Sequence, residues 1–168
     1  MARHRSGGWR DGAGLLGFVA LCLGVAGLGG WVTRTSVDTW YQQLAKPGFT
    51  PPDGVFPPVW TALFLLMAVA AWRVWRRRER PGRGRALAVF GGQLVLNLGW
   101  SVLFFGWRAP GPALAEIVLL LAAIIATMRL FAPVDRWAAY LLLPYLAWVT
   151  YAAALNGAIW WLNNGAGG

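Results

Sequence analysis

The sequence predicts an all-α membrane protein, a bundle of five transmembrane helices forming one domain. Three observations carry that prediction. Hydrophobic residues make up 58% of the 168-residue chain and charged residues only 12%, where a soluble domain carries about a quarter charged. The apolar residues gather into five runs, each near the ~20 residues needed to cross a bilayer. Arginines cluster between the runs, so the net charge of +9 reads as membrane topology and argues against a nucleic-acid partner.

The expected spans are 14–32, 55–75, 86–107, 113–131 and 137–162, flanked by a basic N-terminal tail (1–13) and a short flexible tail (164–168). The first run follows Arg3, Arg5 and Arg10, as a signal peptide would. It is longer than a signal-peptide core and lacks a clear small-x-small cleavage site, so it reads as a retained helix. The second follows "KPGFTPPDGVFPPVW", in which five of fifteen residues are proline. Proline fixes φ and removes a backbone donor, so this segment is a stiff extended loop. Pro57 and Pro58 then open the second helix, where missing donors cost least. The third run is set off by "RRRERPGRGR", the basic loop. Pro144 is expected to disturb the last run beneath Tyr145.

Counting Lys and Arg on alternate sides puts twelve with the N-terminus and the basic loop, and Arg34, Lys46 and Arg108 with the proline loop. The positive-inside rule then predicts a cytoplasmic N-terminus and an outside C-terminus, and favours a bacterial inner membrane. The basic loop itself reads as a topogenic anchor touching anionic lipid. Of the twelve tryptophans, Trp31, Trp40, Trp75, Trp107, Trp137, Trp160 and Trp161 lie near span ends, where indoles favour the interface. Trp60, Trp72, Trp100 and Trp148 fit that account less well.

Conventional catalysis finds no support. The only histidine is His4, in the basic tail, and the only cysteine is Cys22. That excludes a Ser-His-Asp set, a Cys-His metal site and an intrachain disulfide. What remains is polar and aromatic residues at helical spacing. Gln93, Asn97, Trp100 and Phe104 share one face of the third span, and Tyr145, Trp148, Ala152 and Leu155 one face of the fifth. Amides in hydrocarbon must find a partner. Two readings stand: interhelical packing through amides and small residues, or an apolar pocket with a few placed polar groups. Glu116, about one turn from Pro112, is expected to snorkel to the interface. Gly84, Ala88 and Gly92 repeat at every fourth position, a spacing that lets helices approach closely within or between protomers.

In "WYQQLAKPGFTPPDGVFPPVWTALF", "GQLVLNLGWSVLFFG" and "PYLAWVTYAAALN", taken in this order, the chain resembles the translocator protein family, also called tryptophan-rich sensory proteins (TspO/MBR) and peripheral-type benzodiazepine receptors. The likeness covers roughly residues 14 to 163. It implies a ligand cavity beneath the first loop, with Trp60, Asn97, Trp148 and Ala152 on its wall, Tyr41 approaching from the loop, and Pro47, Pro51 and Pro52 stiffening the lid. It implies binding of porphyrins and other tetrapyrroles, and of synthetic isoquinoline or benzodiazepine ligands. No metal or obligatory cofactor is implied. A homodimer through Ala88 and Gly92 is also implied. Two positions depart from the family pattern. Gly54 stands where many members have tryptophan, and "LNGAIWWLNN" lacks the tyrosine and basic residue of the sterol-recognition pattern.

The function expected from the resemblance is tetrapyrrole transport or sensing in oxygen or porphyrin stress. The alternatives are a light- and oxygen-driven porphyrin-degrading enzyme using Trp60 and Trp148, and a structural or regulatory membrane subunit whose aromatics merely pack.

Overall fold

A computed structural model describes residues 6–164. Arg3, His4, Arg5 and the tail 165–168 lie outside the described residues. Five helices in it are long and apolar enough to span a membrane. They are α1 (Ser6–Val37), α3 (Phe56–Arg76), α4 (Arg83–Ser101), α5 (Pro110–Phe131) and α7 (Leu143–Asn164). A short α2 (Trp40–Gln43) and a 3₁₀ turn (Asp53–Val55) lie in the first loop, and α6 (Arg136–Tyr140) precedes α7. The main interfaces join α4 with α5, α1 with α3, and α5 with α7.

Proline placement sets several helix starts. Pro57 and Pro58 lie in the first turn of α3, Pro110 and Pro112 in that of α5, and Pro144 is the second residue of α7. There a missing N–H leaves no hydrogen bond unmade. The last span is therefore broken just before Pro144, at Leu141 and Leu142, into α6 and α7.

α1 is longer than expected at both ends. It reaches back to Ser6, into the segment expected to be a tail. The Trp72 indole donates to the Asp11 carbonyl at 2.8 Å, and Arg76 pairs with the Asp11 carboxylate at 3.1 Å. These contacts tie the added turns to α3 and give Trp72 a partner. At the other end, Ser36 donates to the Phe105 carbonyl at 2.6 Å.

Buried Ala68, Ala70 and Ala71 on α3 let the neighbouring helices approach. Phe64, Met67, Phe90, Ile117, Leu120 and Val149 fill the centre. Trp31, Trp107, Trp137, Trp160 and Trp161 are exposed near helix ends, while Trp60, Trp72, Trp100 and Trp148 are half-buried. Gly84, Ala88 and Gly92 lie on an exposed face of α4 with Val95.

Glu116 corrects an expectation. Both of its carboxylate oxygens are buried and unpartnered, so it does not snorkel. The physical reason is Gly99 on the facing helix. A Cβ built there would lie 3.6 Å from Glu116 Oε1, already in ordinary contact, so a side chain larger than alanine would crowd the carboxyl.

Near the arginine-rich end, buried Asp135 caps α6. It accepts from the backbone N–H groups of Trp137 and Ala138, and pairs with Arg73 at 3.0 Å and Arg77 at 3.1 Å. Burial alone would raise its pKa. The hydrogen bonds from both guanidiniums and from Ala138 outweigh that and hold the carboxyl below its ordinary range.

A candidate ligand cavity beneath the first loop

The cavity forms where α4 changes its winding. Val102–Gly106 is a π turn, in which the Trp107 N–H reaches back five residues to the Val102 carbonyl at 2.8 Å. Such wide turns recur at functional sites. Here the turn brings consecutive Phe104 and Phe105 to the same wall. Phe104 stacks on Trp100 with ring centroids 5.3 Å apart, and Tyr41 meets Phe105 at 5.7 Å.

The result is an apolar cavity of about 150 Å³. From the earlier set, Tyr41, Trp60, Trp100, Phe104, Trp148, Ala152 and Leu155 line it. Burial, with smaller contributions from Asp53 and Tyr151, pushes the Tyr41 phenol up to about 12, so it stays protonated at neutral pH. Lys46 lies over its ring, 4.4 Å from the centroid. The Trp148 indole N–H is buried and has no hydrogen-bond partner.

Asn97 lines an adjoining groove of about 500 Å³ beside α1. Groove and cavity share Thr33, Val37, Phe56, Pro57 and Trp60, so the Trp60 ring stands between them. Gly27, Gly29 and Gly30 form part of the groove wall, and Arg34 on α1 and Asp38 just past its end also line it.

Gln93 and Tyr145 line neither space. The Tyr145 hydroxyl donates to Gln93 Oε1 at 2.9 Å and accepts from Asn97 Nδ2 at 3.0 Å. All three residues are buried, at 0%, 1% and 5% exposure for Tyr145, Gln93 and Asn97. Their polar groups join α4 to α7 beneath the cavity. Tyr145→Phe strands two buried amides and is expected to cost about 1–3 kcal/mol. Thermal unfolding in detergent should register this loss.

Sequence reasoning missed Asn156, which accepts from the Trp100 indole at 3.0 Å and donates to the Pro110 carbonyl at 2.8 Å. The signal was available, since Asn156 is an amide inside an apolar span like Asn97. Phe56, Phe105 and Ile159 on the wall were also missed.

The loop above is tied down mainly by polar contacts. Gln42 donates to the Asp53 carboxylate at 2.6 Å, and Tyr151 on α7 donates to the Phe49 carbonyl at 2.6 Å. Asn163 exchanges two hydrogen bonds with the Ala45 backbone, at 3.0 and 3.1 Å. Pro47, Pro51 and Pro52 are in this segment but not on the cavity wall, where the roof is supplied by Tyr41, Asp53 and Phe56.

Fold and site define a class: a multi-pass helical membrane protein with an aromatic cavity under a pinned loop at one end of the bundle. Within that class the chain belongs to the TspO/MBR family, whose model matches residues 18–162. It is 43% identical over 149 residues to the tryptophan-rich protein TspO of Chlorobaculum tepidum, covering 86% of this chain and 92% of that relative. Similarity to the tryptophan-rich sensory protein of Cereibacter sphaeroides is 40% identity, over 87% of this chain and 89% of that one. Similarity to the translocator protein of Sus scrofa is 37%, over 86% and 89% respectively.

Proposed function

We propose that the protein binds a tetrapyrrole in the cavity and the adjoining groove, as a transporter or sensor in oxygen or porphyrin stress. The observation that carries this reading is the unpartnered Trp148 indole N–H, buried in a wall of aromatic rings from several helices. A buried donor without a partner costs free energy that an acceptor on a ligand recovers. Flat aromatic rings gain further from contact with indoles.

Size supports a ligand that spans both spaces. The cavity alone, about 150 Å³, is below the roughly 300–1,000 Å³ of ordinary ligand sites. The groove, about 500 Å³, is within it. A macrocycle lying across Trp60 reaches both, and Arg34 on the groove offers a cation to a peripheral carboxylate. Binding is preferred to catalysis because the residues lining the two spaces include no histidine or cysteine and only two carboxylates, Asp53, already hydrogen-bonded to Gln42, and Asp38 on the groove. On the charge asymmetry, the cavity faces the outside of a bacterial inner membrane. The exposed Ala88 and Gly92 face of α4 is the surface proposed for a second copy of the chain.

Titration of the purified protein with a porphyrin tests the reading. Saturable, stoichiometric quenching of tryptophan emission is expected, and quenching that grows linearly without saturation would overturn it. The lid supplies a second prediction. A Cβ built at Gly54 meets nothing within 4 Å, so a side chain can leave the backbone there without a clash. Gly54→Trp is expected to tighten porphyrin binding by up to about tenfold, from one added aromatic contact of about 0.5–1.5 kcal/mol. The same titration measures it.

A further inference from the structure

A second groove lies at the opposite end of the bundle, near the start of α1. It has a volume of about 620 Å³ and is lined by Trp9, Arg10, Ala13, Gly14, Trp75, Arg78 and Arg83. Three guanidiniums and two indoles thus surround one space, with no carboxylate among its lining residues. Two acids adjoin these arginines in sequence: Asp11, which is engaged by Arg76 at 3.1 Å, and Glu79, which is exposed in the loop and is not among the lining residues.

The arrangement is built around Trp75. A Cβ at Gly14 would lie 2.5 Å from the Trp75 ring, so only glycine lets the indole rest on the α1 backbone. Phe18 packs against the ring at 6.4 Å, and the Arg78 guanidinium lies 5.2 Å from its centroid. Arg83 donates to the Trp75 carbonyl at 3.0 Å. The two arginines are therefore positioned by contacts with one residue.

We infer that this groove binds the head group of an anionic phospholipid, with the arginines taking its phosphate. Charge complementarity identifies an anion, and position identifies a lipid. Trp9 and Trp75 lie at the ends of the first two spans, at the level where indoles meet head groups. From the groove an exposed strip runs along α1 through Ala13, Leu16 and Ala20, a track for an acyl chain. A free phosphate would have no use for that strip. This site is independent of the cavity under the first loop, and neither inference needs the other.

The test is lipid retention by native mass spectrometry, after release from nanodiscs of mixed phosphatidylcholine and phosphatidylglycerol. The protein is expected to retain phosphatidylglycerol selectively. Arg10→Gln and Arg78→Gln should each reduce that retention about fivefold, as expected for one arginine near an anionic surface. Gly14→Ala should reduce it with no change in charge, because the indole is displaced. Arg80→Gln with Arg85→Gln removes charge from the same loop outside the groove and should leave retention intact. Equal loss in the groove and control variants would mean general attraction and would overturn the site. So would equal retention of phosphatidylcholine, or displacement of the lipid by inorganic phosphate alone. If Gly14→Ala does not fold, the arginine variants and their control still decide the matter.

Discussion

Replacing both Trp60 and Trp148 with alanine is expected to weaken porphyrin binding by about a hundredfold or more. Each indole offers a ring face or edge to a flat ligand, worth about 0.5–1.5 kcal/mol beyond its buried area. Trp148 adds an N–H that lacks a partner in the free protein, and a hydrogen bond to it contributes about 0.5–1.5 kcal/mol. Truncation to alanine also removes wall, so water enters the site. The phenylalanine pair, Trp60→Phe with Trp148→Phe, separates these effects. It keeps ring contact and loses the donor, and its affinity should fall between wild type and the alanine pair. Trp60 packs on Phe64 at 5.9 Å and Trp148 on Phe56 at 5.8 Å, so folding of each variant should be checked by thermal unfolding. Unchanged affinity in a folded alanine pair would remove both indoles from the site.

The largest stability effect is expected at Asp135. Asp135→Ala deletes the cap of α6 and leaves Arg73 and Arg77 without their shared carboxylate. Loss of a cap costs about 0.5–2 kcal/mol. Breaking a fully buried ion pair costs about 3–5 kcal/mol, but the two arginine side chains are 31% and 54% exposed, and solvent screening cuts that figure substantially. A total near 3 kcal/mol is expected, read as a lower unfolding temperature in detergent. Asp135→Asn keeps an oxygen for the cap and should lose less. The pH dependence has a definite sign. The folded-state carboxyl is held below its ordinary range. Its contribution is therefore complete above the unfolded-state pKa, and disappears as pH falls below that value through the folded one. Wild type and Asp135→Ala should differ at neutral pH and converge in strong acid.

What the sequence revealed, and what it hid, follows from which forces leave a local trace. The five spans were legible because crossing a bilayer demands a long apolar run, and the prolines marked where α3 begins and where the last span is disturbed. The ends of α1 were not legible. No proline stops the helix on either side, and the contacts that extend it, from Trp72 and Arg76 to Asp11, come from another helix. The π turn at Val102–Gly106 was invisible for a similar reason. Its shifted hydrogen bond has no composition of its own, so Phe105 was never placed beside Phe104. Periodicity put Trp100 and Phe104 on one helix face and Trp148, Ala152 and Leu155 on another, and in the fold both faces border the same cavity. It could not separate residues facing the cavity from those facing each other one turn deeper, which is the position of Gln93 and Tyr145. Glu116 was misjudged because distance along the chain from Pro112 says nothing of the space left opposite by Gly99.

The structure of the protein with a bound porphyrin tests the central claim most directly. The macrocycle should lie under the loop against Trp60 and Trp148, with an acceptor on the Trp148 N–H and Asn97 at the groove side. A macrocycle seated on the outer, lipid-facing surface of the bundle, with the cavity still empty, would contradict the account.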